Sequence, residues 1–197
     1  MVSDRNIQHS FRFNGRMRNL PWYPRTGTRD DLANLFSRWG LNEGVEVGTY
    51  KAEYACTLLK ANPNLHLTCV DPWKAYGGVT QDREDLFYAL ALRRMDGLNV
   101  TVIRKPSLEA VDSFADDSLD FVYIDGDHSF DAAVQDIIRW SAKVRAGGLI
   151  LVHDYCVNQI GADVVKAVDA YTHCHDIRPW YVTSDLALSP TAFWVKR

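Results

Sequence analysis

Residues 46–53 read EVGTYKAE and join a short apolar strand, predicted at 45–47, to a helix that runs to Lys60. A glycine directly after a first strand allows the backbone to turn tightly beneath a ligand. Dinucleotide sites need two further glycines so that the pyrophosphate can approach the helix, and those positions hold Tyr50 and Glu53 here. The stretch therefore predicts an α/β fold whose ligand carries no pyrophosphate.

Apolar strands alternate with amphipathic helices along the rest of the chain. Strands are predicted at 45–47, 65–70, 100–103, 121–124, 149–152, 180–182 and 192–195, with helices at 82–94, at 130–143 and after Gly161. Continuous apolar strands joined by helical crossovers are typical of a parallel sheet that is covered on both faces. Nine residues separate the last two strands, which is too few for a crossover, so this pair should be antiparallel. We expect a doubly wound, mostly parallel, seven-stranded sheet with an antiparallel C-terminal strand.

The first 29 residues differ in charge from the rest of the chain. They hold six arginines and one aspartate, a balance of +5, so the remainder carries −8 of the total of −3. The arginines are Arg5, Arg12, Arg16, Arg18, Arg25 and Arg29. Thr28 and Asp31 form a capping box that begins the first body helix, which ends at Gly40. We therefore divide the chain into a basic arm or lid, 1–27, and one domain, 28–197. The arm could close over a substrate or join a homodimer, and a merely solvated terminus is the alternative.

Composition argues against several classes of protein. No apolar run approaches the roughly 20 residues that span a bilayer, and the beginning of the chain lacks the apolar core of a signal peptide. The four cysteines form no CxxC pair, and a net charge of −3 does not favour nucleic-acid binding. We expect a cytoplasmic protein with a small-molecule partner, without structural disulfides, membrane contacts or nucleic acid.

A second motif follows the second strand. Asp71, Pro72 and Trp73 come directly after that strand, and Asp71 lies 23 residues after Gly48. An acid at this point can accept hydrogen bonds from both hydroxyls of a ribose. Trp73 could cover the adenine or the chain attached to the ribose. A helix cap or a surface salt bridge is the structural alternative for Glu46 and Asp71.

Together, EVG at 46–48 and DPW at 71–73 resemble the first two motifs of class I S-adenosylmethionine-dependent methyltransferases. The segment IDGDHSF at 124–130, with Gly147-Gly148 and HDY at 153–155, resembles the branch of catechol O-methyltransferase-like and macrolide-sugar O-methyltransferases. The resemblance covers about residues 40–197. It implies a Rossmann-like methyltransferase fold, S-adenosylmethionine as the cofactor, and an adenine contact near Ser107. The cofactor contacts that it implies are Glu46, Gly48, Thr49, Tyr50, Asp71, Pro72, Trp73, Ser107 and Asp125.

Polar groups also follow two later strands. Asp125 ends one apolar strand, and His153 and Asp154 follow the next, so the converging strand ends should bring them together. Their separations of 28 and 29 residues are similar to those of the metal ligands in the metal-dependent branch. That branch usually has an acid at the position of His153, and imidazole suits Zn, Fe or Mn better than Mg²⁺. Either the metal is not Mg²⁺ or His153 is not a ligand, and metal dependence stays open.

His128 lies three residues after Asp125, where the resemblance implies the general base, so both are candidate catalytic residues. An ordinary histidine pKa of about 6.5 would let it take a hydroxyl proton near neutral pH, and a structural histidine is the alternative. Asp127 could orient His128 or cap the helix at 130–143. The predicted function is methyl transfer from S-adenosylmethionine to a hydroxyl of a sugar, phenol or natural product. The alternatives are an NAD(P)-binding oxidoreductase, a metal-free N-methyltransferase and a catalytically silent binding module.

Overall fold

The computed structural model describes residues 1–11, 21–22, 27–156, 162–184 and 189–197. Within these ranges the chain forms one seven-stranded sheet with helices on both faces. The strands are β1 Glu43–Val47, β2 His66–Val70, β3 Val100–Ile103, β4 Leu119–Ile124, β5 Val144–Val152, β6 Tyr181–Val182 and β7 Ala192–Val195. The helices are α1 Asp4–Ser10, α2 Arg29–Trp39, α3 Glu53–Ala61, α4 Gln81–Met95, α5 Ser107–Ala110, α6 Phe130–Lys143 and α7 Ala162–Cys174.

The strand order is β3-β2-β1-β4-β5-β7-β6. Neighbouring strands from β3 to β5 are parallel, whereas β7 runs antiparallel to both β5 and β6. The predicted fold class and the antiparallel final pair are confirmed. The chain winds outward from β1 to β3 and then returns to place β4 on the other side of β1. In a doubly wound sheet, a ligand cleft opens at such a reversal, at the carboxyl ends of the strands.

Two apolar cores explain why the strands read as continuous hydrophobic runs. Phe121 and Tyr123 of β4 enter the core beneath α2, α3 and α4, while Val122 and Ile124 enter the core beneath α6 and α7. Side chains of a strand alternate between faces, so a strand that is covered on both sides has no polar face. The central strands are thereby held rigidly, and their ends present the site.

The ends of two predicted elements illustrate the local rules. The capping box of α2 is confirmed: the Thr28 hydroxyl accepts from the Asp31 N–H at 3.2 Å, and the Thr28 N–H donates to the Asp31 carboxylate at 2.8 Å. Gly147 and Gly148, which we expected to precede β5, lie inside it. A Cβ at Gly148 would lie 2.4 Å from the Asp120 carbonyl oxygen, so glycine lets β5 continue past β4.

The structure corrects the expectation that residues 1–27 stand apart from the core. Ile7 is 0% exposed, Phe11 is also buried, and the Phe11 ring lies 6.2 Å from that of Phe193 in β7. The Val2 N–H donates to the Gly147 carbonyl at 2.9 Å, which ties the beginning of the chain to the sheet. Helix α1 packs here because its one apolar side chain has a sheet face to cover.

Other features of residues 1–27 stay predictions. Arg12, Arg16, Arg18 and Arg25 lie outside the described residues, and so does Tyr23. Trp22, which is described, forms a bridge with Tyr181 of β6. No helix among the described residues has the length and apolar character needed to cross a bilayer.

We expect Ile7→Ala to lower the free energy of unfolding by about 2–4 kcal/mol, because it leaves a cavity in a packed core. Ile138, half exposed on α6, is the matched control, and Ile138→Ala should change stability by less than about 0.5 kcal/mol. Urea unfolding followed by circular dichroism measures both. Equal effects of the two substitutions would mean that α1 is only loosely attached.

Candidate active site

Four loops meet at the carboxyl ends of β1, β2, β4 and β5. Tyr50, Ala52, Trp73 and Asp154 in these loops have positive φ angles of 50°, 59°, 39° and 57°. Non-glycine residues rarely adopt this region, and such strained conformations cluster at functional sites. The backbone therefore marks the same edge of the sheet that the motifs indicate.

Gly48 holds three of these strand ends together. Its φ angle is +86°, and a Cβ at this position would lie 2.0 Å from the carbonyl oxygen of Asp125. The Gly48 N–H donates to the Val70 carbonyl and the Asp125 N–H to the Val47 carbonyl, both at 2.8 Å. We expected this glycine to make room for a ligand, and the structure adds a second reason: the loop after β4 crosses directly over it.

The end of β1 carries a buried acid. Glu46 is 3% exposed, and burial, with Asp125 and Asp71 nearby, raises the pKa of its carboxyl to about 8. Thr49, the next predicted contact, is also buried. The carboxyls of Glu46, Asp71 and Asp125 thus lie close enough to repel one another. A cation bound among them would relieve that repulsion and lower the pKa of Glu46.

Asp71 organises the loops after β1 and β2. Its carboxylate accepts the N–H of Tyr50 at 2.8 Å and that of Trp73 at 2.7 Å, one on each oxygen. A carboxylate accepts about four hydrogen bonds, so each oxygen keeps capacity for a ligand hydroxyl. Burial raises the pKa of Asp71. Its placement is compatible with the predicted ribose contact.

Trp73 and Pro72 complete the predicted contacts of the second motif. Trp73 is 1% exposed, its ring lies 4.8 Å from that of Tyr88, and its indole N–H donates to the Tyr50 carbonyl at 2.8 Å. The Trp73 side chain therefore supports the Tyr50 loop from below, and the idea that it covers a bound adenine is not supported. Pro72 is exposed, and so is the ring of Tyr50.

Asp125, His128 and Asp154 form one cluster, with ligand atoms within 4.8 Å of one another. The His128 Nε2 lies 2.8 Å from the Asp154 carboxylate and 3.8 Å from that of Asp125. Hydrogen bonds to Asp125 and Asp154 raise the pKa of His128 to about 10. Burial opposes the shift at Asp154, but hydrogen bonds from His128 and Ser189 lower its pKa to about 2. Without a further cation, His128 is an imidazolium between two carboxylates.

His153 lies apart from this cluster. It is 6% exposed, with Nε2 at 3.0 Å from the Arg29 guanidinium and Nδ1 at 3.1 Å from the Thr191 hydroxyl. A guanidinium only donates, so Nε2 must accept and the ring proton must be on Nδ1, where it points to Thr191. His153 is therefore held as a neutral imidazole with both nitrogens in use.

The predicted metal trio needs correction for this reason. Asp125 and Asp154 come together as expected, but His128, and not His153, is the imidazole beside them. Side chains of successive residues at a strand end leave in opposite directions, so His153 turns towards α2 while Asp154 turns into the site. Spacing along the chain does not reveal which of two adjacent residues faces the cleft.

Sequence reasoning missed Arg29 as a site residue. Its guanidinium lies 4.9 Å from the Tyr54 ring, and the Tyr54 hydroxyl donates to the Arg29 carbonyl at 2.8 Å. Burial alone would lower the pKa of Arg29, but Tyr123, Tyr54 and Asp125 together raise it. The only signal in the sequence was its membership of the arginine-rich segment. A positive charge thus lies beside the acidic cluster, on its α2 side.

Ser107 begins α5, as the position after β3 requires. Its hydroxyl donates to the Asp136 carboxylate at 2.5 Å and accepts the Trp140 indole N–H at 2.8 Å. Asp127, whose role was left open, accepts the Ser129 N–H at 2.8 Å just before α6, which is consistent with the helix-capping alternative.

Comparisons with known proteins agree with this arrangement. The sequence profile of the family described as "Methyltransferase domain" matches residues 45–155. An uncharacterized protein of Acanthamoeba polyphaga mimivirus is 27% identical over 144 residues, or 71% of this chain, which spans only 63% of that relative.

Two solved structures show the same fold. The O-methyltransferase TomG from Streptomyces achromogenes, involved in tomaymycin synthesis and solved with S-adenosylmethionine, has a TM-score of 0.63 at 15% identity, over 86% of this chain and 80% of that one. An O-methyltransferase from Bacillus cereus with S-adenosylhomocysteine has a TM-score of 0.60 at 15% identity, over 85% and 80%. At such identities the likeness concerns the fold alone.

Gly48→Ala should destabilise the protein more than Gly40→Ala, by a further ~1–3 kcal/mol in the free energy of unfolding. Both glycines have positive φ, but a Cβ at Gly40 would meet nothing within 4 Å, so Gly40→Ala isolates the backbone strain. Denaturant unfolding of the two variants gives the comparison. If they are equally stable, the crossing of the Asp125 loop imposes no constraint.

Proposed function

The chain belongs to the methyltransferase-domain family, and we propose that it transfers a methyl group from S-adenosylmethionine to a hydroxyl oxygen of a small molecule. The observation that carries the choice of cofactor is the group of three acids, Glu46, Asp71 and Asp125, at the ends of β1, β2 and β4. S-adenosylmethionine has a sulfonium and an ammonium group and no phosphate, so its charge complements this group.

The same acids argue against the alternative of an NAD(P)-binding oxidoreductase. A pyrophosphate would add negative charge beside carboxyls that already repel one another. Tyr50 and Glu53 also stand where a dinucleotide site needs glycine. In our proposal Asp71 holds the ribose hydroxyls, while Glu46 and Asp125 face the cationic end of the cofactor.

S-adenosylmethionine supplies a methyl group bonded to a positively charged sulfur. His128 Nε2 would take the proton of the acceptor hydroxyl, as the nearest group that can act as a base at moderate pH. The hydroxyl oxygen then forms a bond to the methyl carbon while the carbon–sulfur bond breaks, and its electron pair stays on sulfur. Asp154 and Asp125 hold the imidazole at the site and stabilise the imidazolium that results. The methylated product and S-adenosylhomocysteine leave.

The cluster also fits a divalent metal by its donor chemistry. Two carboxylates and an imidazole with ligand atoms within 4.8 Å of one another are a set that Mn, Fe or Zn accepts more readily than Mg²⁺. We propose that Asp125 and Asp154 would be the residues that hold it. Such a cation would supply positive charge that lowers the pKa of the acceptor hydroxyl. It would also offset the carboxylate charges that keep His128 protonated.

The acceptor is proposed only by class: a sugar, a phenol or a natural product with a free hydroxyl. Tyr76, largely exposed after β2, offers a ring near the site, and electrostatic coupling places its hydroxyl near Asp71 and Asp127. Residues 1–27 remain our candidate for a lid or a dimer arm, and the cytoplasm for the place of action.

Asp71→Ala should weaken binding of S-adenosylhomocysteine by at least tenfold, since charge-assisted bonds contribute on the order of 1.5–3 kcal/mol each. Asp82→Ala, an exposed acid early in α4, should leave the affinity unchanged. Isothermal titration calorimetry measures both, with thermal unfolding as a check on the fold. Wild-type protein that binds no S-adenosylhomocysteine, or a variant that binds it as well as wild type, contradicts the proposal.

The methylation rate should depend on pH through His128, which must lose its proton to act as a base. With a chelator present, the rate should rise with pH towards about 10, because the pKa of His128 is raised to that value. Added Mn²⁺ or Zn²⁺ should move this rise to lower pH. His128→Ala should lose about 10²–10⁴-fold in kcat while S-adenosylhomocysteine affinity is kept. A pH profile that is the same in His128→Ala and wild type would exclude His128 as the base.

A further inference from the structure

A buried carboxylate on α6 has no place in the mechanism above. Asp136 is 4% exposed, and within the described chain one oxygen, Oδ1, accepts the Ser107 hydroxyl at 2.5 Å. The other oxygen, Oδ2, accepts no hydrogen bond from any described residue. A buried carboxylate with a spare acceptor is costly unless a donor reaches it. The question is which donor does.

The position of Asp136 narrows the answer. It lies where α6 packs between two loops of the site, touching Ser107 after β3 and lying beneath Gly126 after β4. A Cβ added at Gly126 would be 3.5 Å from Oδ2. The carboxylate therefore lies at the floor of the cleft, on the face of the sheet that α5 and α6 cover.

The chemistry of the spare oxygen selects a neutral N–H or a cation and disfavours an anion. Burial, with Asp127 nearby, raises the pKa of Asp136 to about 6, as expected for a carboxyl short of donors. Under the proposed function, the ribose goes to Asp71 and the cationic end to Glu46 and Asp125. The exocyclic amine of adenine is the N–H donor of the cofactor that is left.

We propose that Asp136 is the residue that recognises adenine, accepting its 6-amino group on Oδ2. This inference rests on the proposed function and deepens it. Ser107, which the family resemblance implied as an adenine contact, becomes a positioning residue: its hydroxyl proton goes to Asp136, and Trp140 occupies one of its lone pairs. The three side chains fix the orientation of the carboxylate before the ligand arrives.

The test compares two ligands that differ at one atom. S-adenosylhomocysteine has the 6-amino group, and S-inosylhomocysteine has a carbonyl there, which would face the carboxylate without a proton to share. Calorimetry should show wild-type protein binding the adenine ligand at least tenfold more tightly. Asp136→Asn should reduce the ratio to about one to three, because the amide can accept from an amine or donate to a carbonyl.

Asp131→Asn is the matched control: it removes the same charge from an exposed position in the first turn of the same helix, and the ratio should stay at its wild-type value. Equal binding of the two ligands by wild-type protein overturns the inference even if Asp136→Asn fails to fold. So does an Asp136→Asn variant that folds and keeps the full preference. Wild-type protein that binds neither ligand overturns the proposed function and this inference together.

Discussion

The crossing of the Asp125 loop over Gly48 is the contact on which the site depends. Two parallel strands that return to opposite sides of one another leave a cleft, but their loops must still pass at close range. Here the pass leaves no room for a Cβ, and backbone hydrogen bonds on either side hold β1 to β2 and to β4. The acids that follow those strands are placed by this backbone arrangement, before any ligand is bound.

Placing several carboxyls at one edge has an electrostatic consequence. Burial and mutual repulsion raise the pKa of Glu46, and burial raises those of Asp71 and Asp136. Such groups are destabilised in the empty protein and stabilised by a ligand that brings donors and positive charge. The same arrangement thus costs folding free energy and creates affinity for a cationic, phosphate-free nucleoside.

The two histidines of the reaction end show how partners set chemistry. His128 lies between Asp154 and Asp125 and is cationic, whereas His153 meets Arg29 and is held neutral. Their surroundings differ because the two side chains lie on different sides of the β5 end. One imidazole is available for proton transfer, and the other ties α2 to β5 and β7 through Arg29 and Thr191.

The sequence by itself determined the strand and helix order, the antiparallel final pair, the α2 cap and the acids at the strand ends. Those features follow from local periodicity, from turn chemistry and from the rule that parallel strands end together. Only the tertiary structure decided that His128 and not His153 joins Asp125 and Asp154, that Trp73 lies beneath its loop, and that Ile7 belongs to the core. Each of these depends on which neighbour a side chain meets across the fold, and residues far apart in sequence leave no local pattern for such a choice. Asp136 is the same case: on a helix it reads as one more polar residue, and only packing against Ser107 and Gly126 makes it a buried acceptor.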